Sequence, residues 1–415
     1  MDNAPHTPRR VGILTFHFAR NYGALLQCYA LQQTLSETGF CPGVIDYRPG
    51  SIASEYKVVD IRRFLGRTPG KILRRTRREL QVLGSRRARY AAMETFIGKH
   101  LHFTEPELCD TIVVGSDQVW NPALTGGKME GLYWGEGLEG KRLLAYSASI
   151  ENGMPLLRDE KLRTALARFR AVSLREETAL SAIRRLRPDA CLCCDPVLLT
   201  QESLWRNLAA QSRIYESLGD YLLYYQVRRS PAGLEAARLL GDNLGLRPLI
   251  LSAKVEDENS AEVAAASPED FLALLLGAKF VLTTSFHGCA LSALMHKNFL
   301  SLNLGDGRDS RSCGLLRQLG LESRIIDLPP ALPGGSSPLT HARTASDVTS
   351  PLPHSAGASA GSSPLPPAPS ASAGSFPLPH AHLIDAAAEP IDWRAVDERI
   401  AEISKSSREF LLKNI

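Results

Sequence analysis

Short apolar runs alternate with amphipathic stretches along most of this chain, as they do in proteins whose parallel β-strands are joined by helices. Residues 11–15 are an apolar run, residues 44–47 are a second predicted strand, and residues 24–35 between them carry Leu, Gln and Ala at helical spacing. Because parallel strands need a crossover connection, this order predicts a βαβ unit. The polar loop after the first run carries Asn21 and Gly23, which either shape the turn or contact a ligand.

The clearest unit of this kind covers residues 280–303. A predicted strand at 280–283 runs into a polar turn with Ser285, His287 and Gly288, and a helix and a second strand follow. In open α/β sheets, ligands bind beyond the carboxyl ends of the strands, where N–H groups of helix N-termini suit a phosphate. The turn is therefore a candidate binding site. The alternative is that Ser285 caps the helix and His287 is a structural histidine.

Two further predicted strands also end in polar side chains. The strand at 111–114 is followed by Ser116, Asp117 and Trp120. Asp117 is the only acid of this loop, and Trp120 either stacks on a sugar or fills the core. A later apolar strand ends at Arg175, whose charged, forked guanidinium suits an anion; an ordinary salt bridge is the alternative.

Taken together, the pattern predicts an α/β protein with two halves, at 11–205 and 218–327. The second half ends with a Gly-rich loop that carries Arg308 and Arg311. A closing amphipathic helix is predicted at 391–415, and its apolar stripe must dock on another part of the protein.

Residues 329–388 break this pattern, since they are rich in Pro, Ser, Ala and Gly. A Pro-Leu motif recurs there at intervals of thirteen residues, in segments that begin at Ser337, Ser350, Ser363 and Phe376. Such a composition buries too little apolar surface to order itself. We therefore predict a disordered insertion that arose by tandem duplication.

Positive charge is concentrated in one segment. Residues 61–90 hold eleven Lys/Arg and one acidic residue, although the whole chain carries only +4. The rest of the chain is thus net acidic, which excludes a uniformly nucleic-acid-binding surface. The segment is predicted to be a basic helical arm broken at Pro69 and Gly70. Its charged face is either simply solvated or attracted to a membrane surface or an anionic substrate.

The sequence favours a cytoplasmic protein. Residues 1–10 lack the apolar core of a secretory signal, and no apolar run reaches the roughly 20 residues of a transmembrane helix. The eight cysteines are mostly in apolar segments and are predicted to be reduced thiols. The Cys-Leu-Cys-Cys sequence at 191–194 has no second cluster of ligand spacing, so we predict buried strand cysteines and no metal site.

A set of short motifs resembles that of the polysaccharide pyruvyl transferase family. Each motif is weakly specific alone, and their order and spacing over residues 11–327 and 391–415 carry the likeness. The motifs are Phe-His-Phe at 16–18, Asn-Tyr-Gly-Ala at 21–24, Val-Gly-Ser-Asp-Gln-Val-Trp-Asn at 114–121, Tyr-Ser-Ala-Ser at 146–149, Ser-Leu-Arg-Glu at 173–176, Asp-Pro at 195–196, Ser-Phe-His-Gly at 285–288 and Ile-Asp-Trp at 391–393.

The resemblance implies a glycosyltransferase-B-like fold, in which two Rossmann-like domains face each other across a cleft and a C-terminal helix crosses back. It also implies transfer of a pyruvyl group from phosphoenolpyruvate to two sugar hydroxyls, which gives a cyclic ketal and phosphate. The acceptor is then a polysaccharide or its lipid-linked precursor, met in the cytoplasm or at the inner face of the membrane. Neither a cofactor, a metal nor a nucleic acid is expected.

The resemblance also implies roles for individual residues. His287 is expected to contact phosphate and handle the proton, and Asp117 to activate the acceptor hydroxyl. The expected donor site comprises Arg175, Ser285, His287, Gly288, Arg308 and Arg311. The expected acceptor side comprises Asn21, Tyr22, Gly23, Ser116 and Trp120.

One position departs from the family pattern. Many members have an arginine two residues before the histidine, where this chain has Ser285. Arg308 or Arg311 would then neutralise the phosphate in its place. Two rival functions stay open: a nucleotide-sugar glycosyltransferase on the same fold, and a non-catalytic protein of polysaccharide assembly.

Overall fold

The chain folds around two parallel β-sheets with helices packed on them. This confirms the predicted α/β class. The computed structural model describes residues 9–53, 69–156, 158–212, 214–255, 258–305, 307, 309–328 and 380–415.

The first sheet comes from the N-terminal half of the chain. Its strands are β1 (Arg10–Leu14), β2 (Cys41–Val44), β3 (Thr111–Val114), β4 (Arg142–Ala148), β5 (Ala171–Leu174) and β6 (Cys191–Leu192). They are parallel and lie in the order β2-β1-β3-β4-β5-β6. The inner strands are almost wholly buried, which is why most of their residues are apolar. The helices of this half are α1 (Tyr22–Glu37), α2 (Gly50–Ala53), α3 (Pro69–His100), α4 (Asp159–Leu166), α5 (Glu177–Ile183) and α6 (Glu202–Ala209).

Two strand predictions in this half are wrong in their limits. The run at 44–47 predicted a strand, but β2 ends at Val44 and includes Pro42 and Gly43. A proline is tolerated there because β2 is an edge strand. The predicted strand through the cysteines stops after two residues, and a 3₁₀ turn, Pro196–Leu199, follows.

The second sheet comes from the C-terminal half. Its strands are β7 (Tyr221–Gln226), β8 (Arg247–Ser252), β9 (Phe280–Thr283), β10 (Phe299–Asn303) and β11 (Ile325–Asp327). They are parallel and lie in the order β11-β10-β9-β7-β8. The helices of this half are α7 (Pro231–Leu244), α8 (Pro268–Gly277), α9 (Phe286–Leu294) and α10 (Ser310–Gln318).

The end of the predicted disordered insertion is helical. Residues 329–379 lie outside the described residues, but α11 (His380–Ala388) is a helix. Its side chains Leu383 and Ala386 are buried in a core cluster of the second half. Arg324 donates to the carbonyl oxygen of Ala386 at 2.7 Å. The packing of α11 shows that the predicted insertion does not extend to residue 388.

The closing helix α12 (Trp393–Asn414) contacts both halves of the chain. In the second half, His296 Nε2 lies 2.8 Å from Asp397 Oδ1. In the first half, the N–H of Cys194 donates to Ser407 Oγ at 2.9 Å. The helix therefore ties the two halves to each other.

The basic arm differs from its prediction. Helix α3 begins at Pro69, a favoured first helical position for proline, and runs unbroken to His100. Residues 61–68 of the predicted arm lie outside the described residues. Among the helices that the structure describes, none combines the length and apolar content needed to cross a bilayer.

Candidate functional site

Each sheet reverses its strand order at one point, and two of the predicted site segments follow strands at those points, whereas Arg175 follows β5. In the first sheet the chain leaves β1 for β2 on one side, and β3 pairs on the other side of β1. In the second sheet β7 lies between β8 and β9 in the same way. Ligands of open α/β sheets bind at such switch points. The loop after β3 carries Ser116 and Asp117, and after β9 Ser285 caps helix α9, whose first turn carries His287.

Hydrogen bonds join the strand ends at each switch point. Thr15 Oγ1, after β1, donates to the carbonyl oxygen of Ser116 at 2.8 Å. In the second sheet, the N–H of Val227, after β7, donates to Thr284 Oγ1 at 3.0 Å. These contacts hold the loops at fixed positions relative to their sheets.

The loops of the two halves meet at Asp195, which is completely buried. Its Oδ2 accepts from Arg175 Nη1 at 2.7 Å and from Ser116 Oγ at 3.1 Å. His287 Nε2, from the second half, lies 3.4 Å from the same oxygen. One carboxylate thus links Arg175 of the first half to His287 of the second.

Asp195 is fixed by its own backbone turn. Its Oδ1 accepts from the N–H of Val197 at 3.0 Å, at the start of the 3₁₀ turn. Burial alone would raise the pKa of the Asp195 carboxyl, but His287 and Arg175 outweigh it and hold the pKa well below its usual value. The carboxylate is therefore ionised near neutral pH.

Arg175 is occupied by two carboxylates. Besides Asp195, its Nη2 lies 3.4 Å from Asp117 Oδ1, and its guanidinium carbon lies 4.7 Å from the ring centre of Phe286. The side chain is 1% exposed, and within the described residues Nε has no hydrogen-bond partner. The salt-bridge alternative for Arg175 therefore describes its present contacts, and its Nε–H group is still available to donate.

His287 is packed against the start of helix α1. A Cβ added to Gly23 would lie 2.0 Å from His287 Nδ1, so no side chain fits at position 23. A Cβ on Gly288 would lie 2.4 Å from Thr283 Oγ1. Within the described residues, His287 Nε2 makes no well-formed hydrogen bond, since the 3.4 Å to Asp195 is an ion-pair distance.

Two of the predicted polar residues act as helix caps. Asn21 Oδ1 accepts from the N–H of Gly23 at 2.9 Å and caps α1. Ser285 Oγ accepts from the N–H of Gly288 at 3.2 Å and caps α9. The contacts of Ser285 therefore agree with the alternative that it caps the helix. Both caps hold the segments that flank His287 in place.

A second contact between the halves involves Arg311. Its Nε and Nη2 lie 3.2 and 2.9 Å from Glu151 Oε1. With the amide of Gln118 turned to accept, Gln118 Oε1 also lies 2.9 Å from Arg311 Nη2. The other arginine of that loop, Arg308, lies outside the described residues.

The two aromatic residues of the predicted acceptor side lie in the core, which corrects their expected position. Tyr22 is completely buried, donates to the carbonyl oxygen of Ala266 at 2.8 Å and stacks on Phe271 at 4.7 Å. Trp120 is equally buried and stacks on Trp134 at 4.4 Å. Neither ring presents a face to a sugar, because other side chains already cover it.

Sequence reasoning missed the roles of two buried acids. Asp195 stands within the Asp-Pro motif but was given no role, although it follows a strand as the assigned residues do. Glu176 is 4% exposed, and its Oε1 accepts from the N–H groups of Ile150 and Glu151 at 2.7 and 2.8 Å. Its position directly after Arg175 was the available signal.

Comparisons with known proteins give one family. The sequence model of the family described as polysaccharide pyruvyl transferase matches residues 21–306. No curated protein sequence matches the chain.

Two solved structures are distantly similar. An uncharacterized protein from Klebsiella pneumoniae is 13% identical with a TM-score of 0.39, over 78% of this chain and 93% of that one. An α-glucosyltransferase solved with UDP and a 13-mer DNA is 9% identical with a TM-score of 0.34, over 71% of this chain and 80% of that one.

Proposed function

Because the match over residues 21–306 places this chain in the polysaccharide pyruvyl transferase family, we propose that it transfers a pyruvyl group from phosphoenolpyruvate to two sugar hydroxyls. The acceptor is a polysaccharide or its lipid-linked precursor. The products are a cyclic pyruvate ketal on the sugar and inorganic phosphate.

The observation that carries this proposal is the junction at Asp195. His287 and Arg175 come from different halves of the chain and approach the same carboxylate oxygen, at 3.4 and 2.7 Å. Ser116, which follows β3 at the switch point of the first sheet, donates to Asp195 as well, and His287 follows β9 at the switch point of the second sheet. A donor and an acceptor held by different halves would therefore meet at these side chains.

Pyruvyl transfer from phosphoenolpyruvate requires a proton donor and a base. The donor's methylene carbon must gain a proton while a sugar hydroxyl oxygen bonds to the adjacent carbon. Phosphate then leaves that carbon with its bonding electron pair, and the second hydroxyl takes its place. A positioned acid or base contributes about 10²–10⁴-fold to such steps.

We assign the proton donor to His287. Its ring is held between Gly23 and Asp195, and its Nε2 lies 3.4 Å from the Asp195 carboxylate. Asp195 is then a positioning residue. Asp117, whose side chain is 12% exposed, is assigned as the base for the acceptor hydroxyl.

An anionic donor needs cations that are not already neutralised. Arg175 faces two carboxylates and Arg311 faces Glu151, so phosphoenolpyruvate must compete with carboxylates for both guanidinium groups. We therefore propose that the halves separate to admit the donor, across a cleft like that of glycosyltransferase-B enzymes. The contacts of Asp195 with His287 and of Glu151 with Arg311 would break and re-form around it.

The proposal is tested by offering labelled phosphoenolpyruvate and labelled nucleotide sugars side by side to the protein with a panel of saccharides. Phosphate release and a labelled ketal from phosphoenolpyruvate alone are expected. Transfer from a nucleotide sugar would show a glycosyltransferase instead. No transfer from either donor, with binding of a saccharide, would favour the non-catalytic role, to which Ser285 and the paired state of Arg175 point.

A further inference from the structure

Helix α3 (Pro69–His100) has two halves with different surroundings. In its C-terminal half, Arg89 is completely buried and donates through Nη1 to the carbonyl oxygen of Ser252 at 2.6 Å and through Nε to that of Ala264 at 2.8 Å. Arg86 Nη2 donates to the carbonyl oxygen of Val255 at 3.2 Å. These two arginines hold the helix on the second half of the protein.

Residues 76–85, the part of the helix before Arg86 whose side chains are described, are less buried. From residue 76 to residue 85 none of the side chains is buried, and Leu80 is 65% exposed. Arg77 and Arg87 are exposed as well. Leu80 is thus an exposed apolar side chain in a strongly basic segment.

Helical geometry places Leu80 on the side that faces away from the protein. Nine residues separate it from Arg89, which is 2.5 turns at 3.6 residues per turn, so the two side chains leave the helix in opposite directions. Arg77 and Arg87 lie three residues before and seven residues after Leu80, and therefore on its face. That face presents one apolar side chain between two cations.

We propose that this face of α3 docks the protein on an anionic phospholipid surface, with Leu80 among the head groups and Arg77 and Arg87 on lipid phosphates. A basic amphipathic helix binds a membrane because it buries apolar side chains in the head-group region and because its positive charges are attracted to anionic lipids. A polyanion such as nucleic acid would use the arginines and leave Leu80 without a role.

The charge distribution orients the protein on such a surface. Residues 61–90 hold eleven Lys/Arg and one acidic residue, whereas the rest of the chain is net acidic. An anionic surface therefore attracts this segment and repels the remainder. The proposal does not depend on the proposed transferase activity.

The test is co-sedimentation of the full chain with vesicles of phosphatidylcholine, with and without phosphatidylglycerol. The double variant carries Arg77→Gln together with Arg87→Gln. A separate single variant carries Leu80→Gln. The matched control carries Arg238→Gln and Arg394→Gln, two exposed helical arginines of the second half and the closing helix. Circular dichroism and thermal unfolding verify that all forms are folded.

The wild type and the control are expected to bind only the anionic vesicles, more weakly as salt rises. At about 1 kcal/mol for each arginine near the surface, the double variant should bind on the order of thirtyfold more weakly. Leu80→Gln should also weaken binding. Equal binding to neutral vesicles, no binding by the wild type, or unchanged binding by the double variant would overturn the proposal.

Discussion

The imidazole of His287, in the second half of the chain, lies 3.4 Å from the carboxylate of Asp195, in the first half. The residues are far apart in sequence and follow strands of different sheets. The geometry of the site therefore depends on how the two halves pack against each other. Changes to this contact should therefore affect the stability of the protein as well as its chemistry.

The pH dependence of stability is the first prediction. The folded protein lowers the pKa of Asp195, so its ionised form stabilises the fold at pH values above the unfolded value of about 3.9. This contribution is lost as the pH falls below about 4. Asp195→Asn should cost on the order of 3 kcal/mol at neutral pH, and the difference from wild type should shrink in acid.

Urea unfolding of both proteins between neutral and acid pH measures this. A difference between wild type and Asp195→Asn that stays constant across the range would show that the Asp195 carboxylate is not the group whose ionisation matters.

Gly23→Ala tests the fit between helix α1 and His287. A Cβ would lie 2.0 Å from His287 Nδ1, so the ring must move. We expect a loss of about 1–3 kcal/mol of stability together with a strong loss of transfer activity. Gly98→Ala is the control, because a Cβ there meets nothing within 4 Å. If both variants keep full activity, the position of the ring is not important.

The contact between Glu151 and Arg311 should couple the two halves. Both side chains are largely buried, at 6% and 15% exposure. In a double-mutant cycle of Glu151→Gln and Arg311→Gln, we expect a coupling of about 1 kcal/mol or more in the free energy of unfolding. The exposed pair Arg394 and Glu398 should give about 0.5 kcal/mol or less. Strictly additive losses at Glu151 and Arg311 would contradict the role of this contact.

Two deletions distinguish the predicted insertion from the helix that follows it. Removal of residues 335–379 should leave stability and activity unchanged, as the sequence composition predicts. Removal of residues 335–388 also deletes α11, with Leu383 and Ala386 from a core cluster. That deletion should cost several kcal/mol in the free energy of unfolding, since one buried Leu truncated to Ala costs about 2–5 kcal/mol. Unfolding by the shorter deletion would refute the insertion hypothesis.

Local patterns predicted the strands and the loops after them. An apolar run followed by polar residues located the loops of Asp117, Arg175 and His287, because both signals lie within a few consecutive residues. The caps at Asn21 and Ser285 are local for the same reason, since a capping side chain bonds to a backbone N–H two or three residues on.

Contacts between segments that are distant in sequence could not be predicted from local patterns. The role of Asp195 depends on residues that reach it from three other loops. The burial of Tyr22 and Trp120 depends on rings supplied by other segments. Arg89 stands in a run of arginines that are alike in sequence, and only the carbonyl groups of the second half distinguish it.

The most direct test of the central claim is the reaction carried out in D₂O, with mass spectrometry and NMR of the saccharide product. If the donor's methylene is protonated at this site, wild-type protein should give a ketal whose methyl group carries one deuterium. His287→Ala should remain folded and give about 10²–10⁴-fold less product, while His382→Ala, a change at an exposed histidine of α11, should match wild type. Undiminished ketal formation by His287→Ala, or no deuterium in the wild-type product, would contradict the assignment.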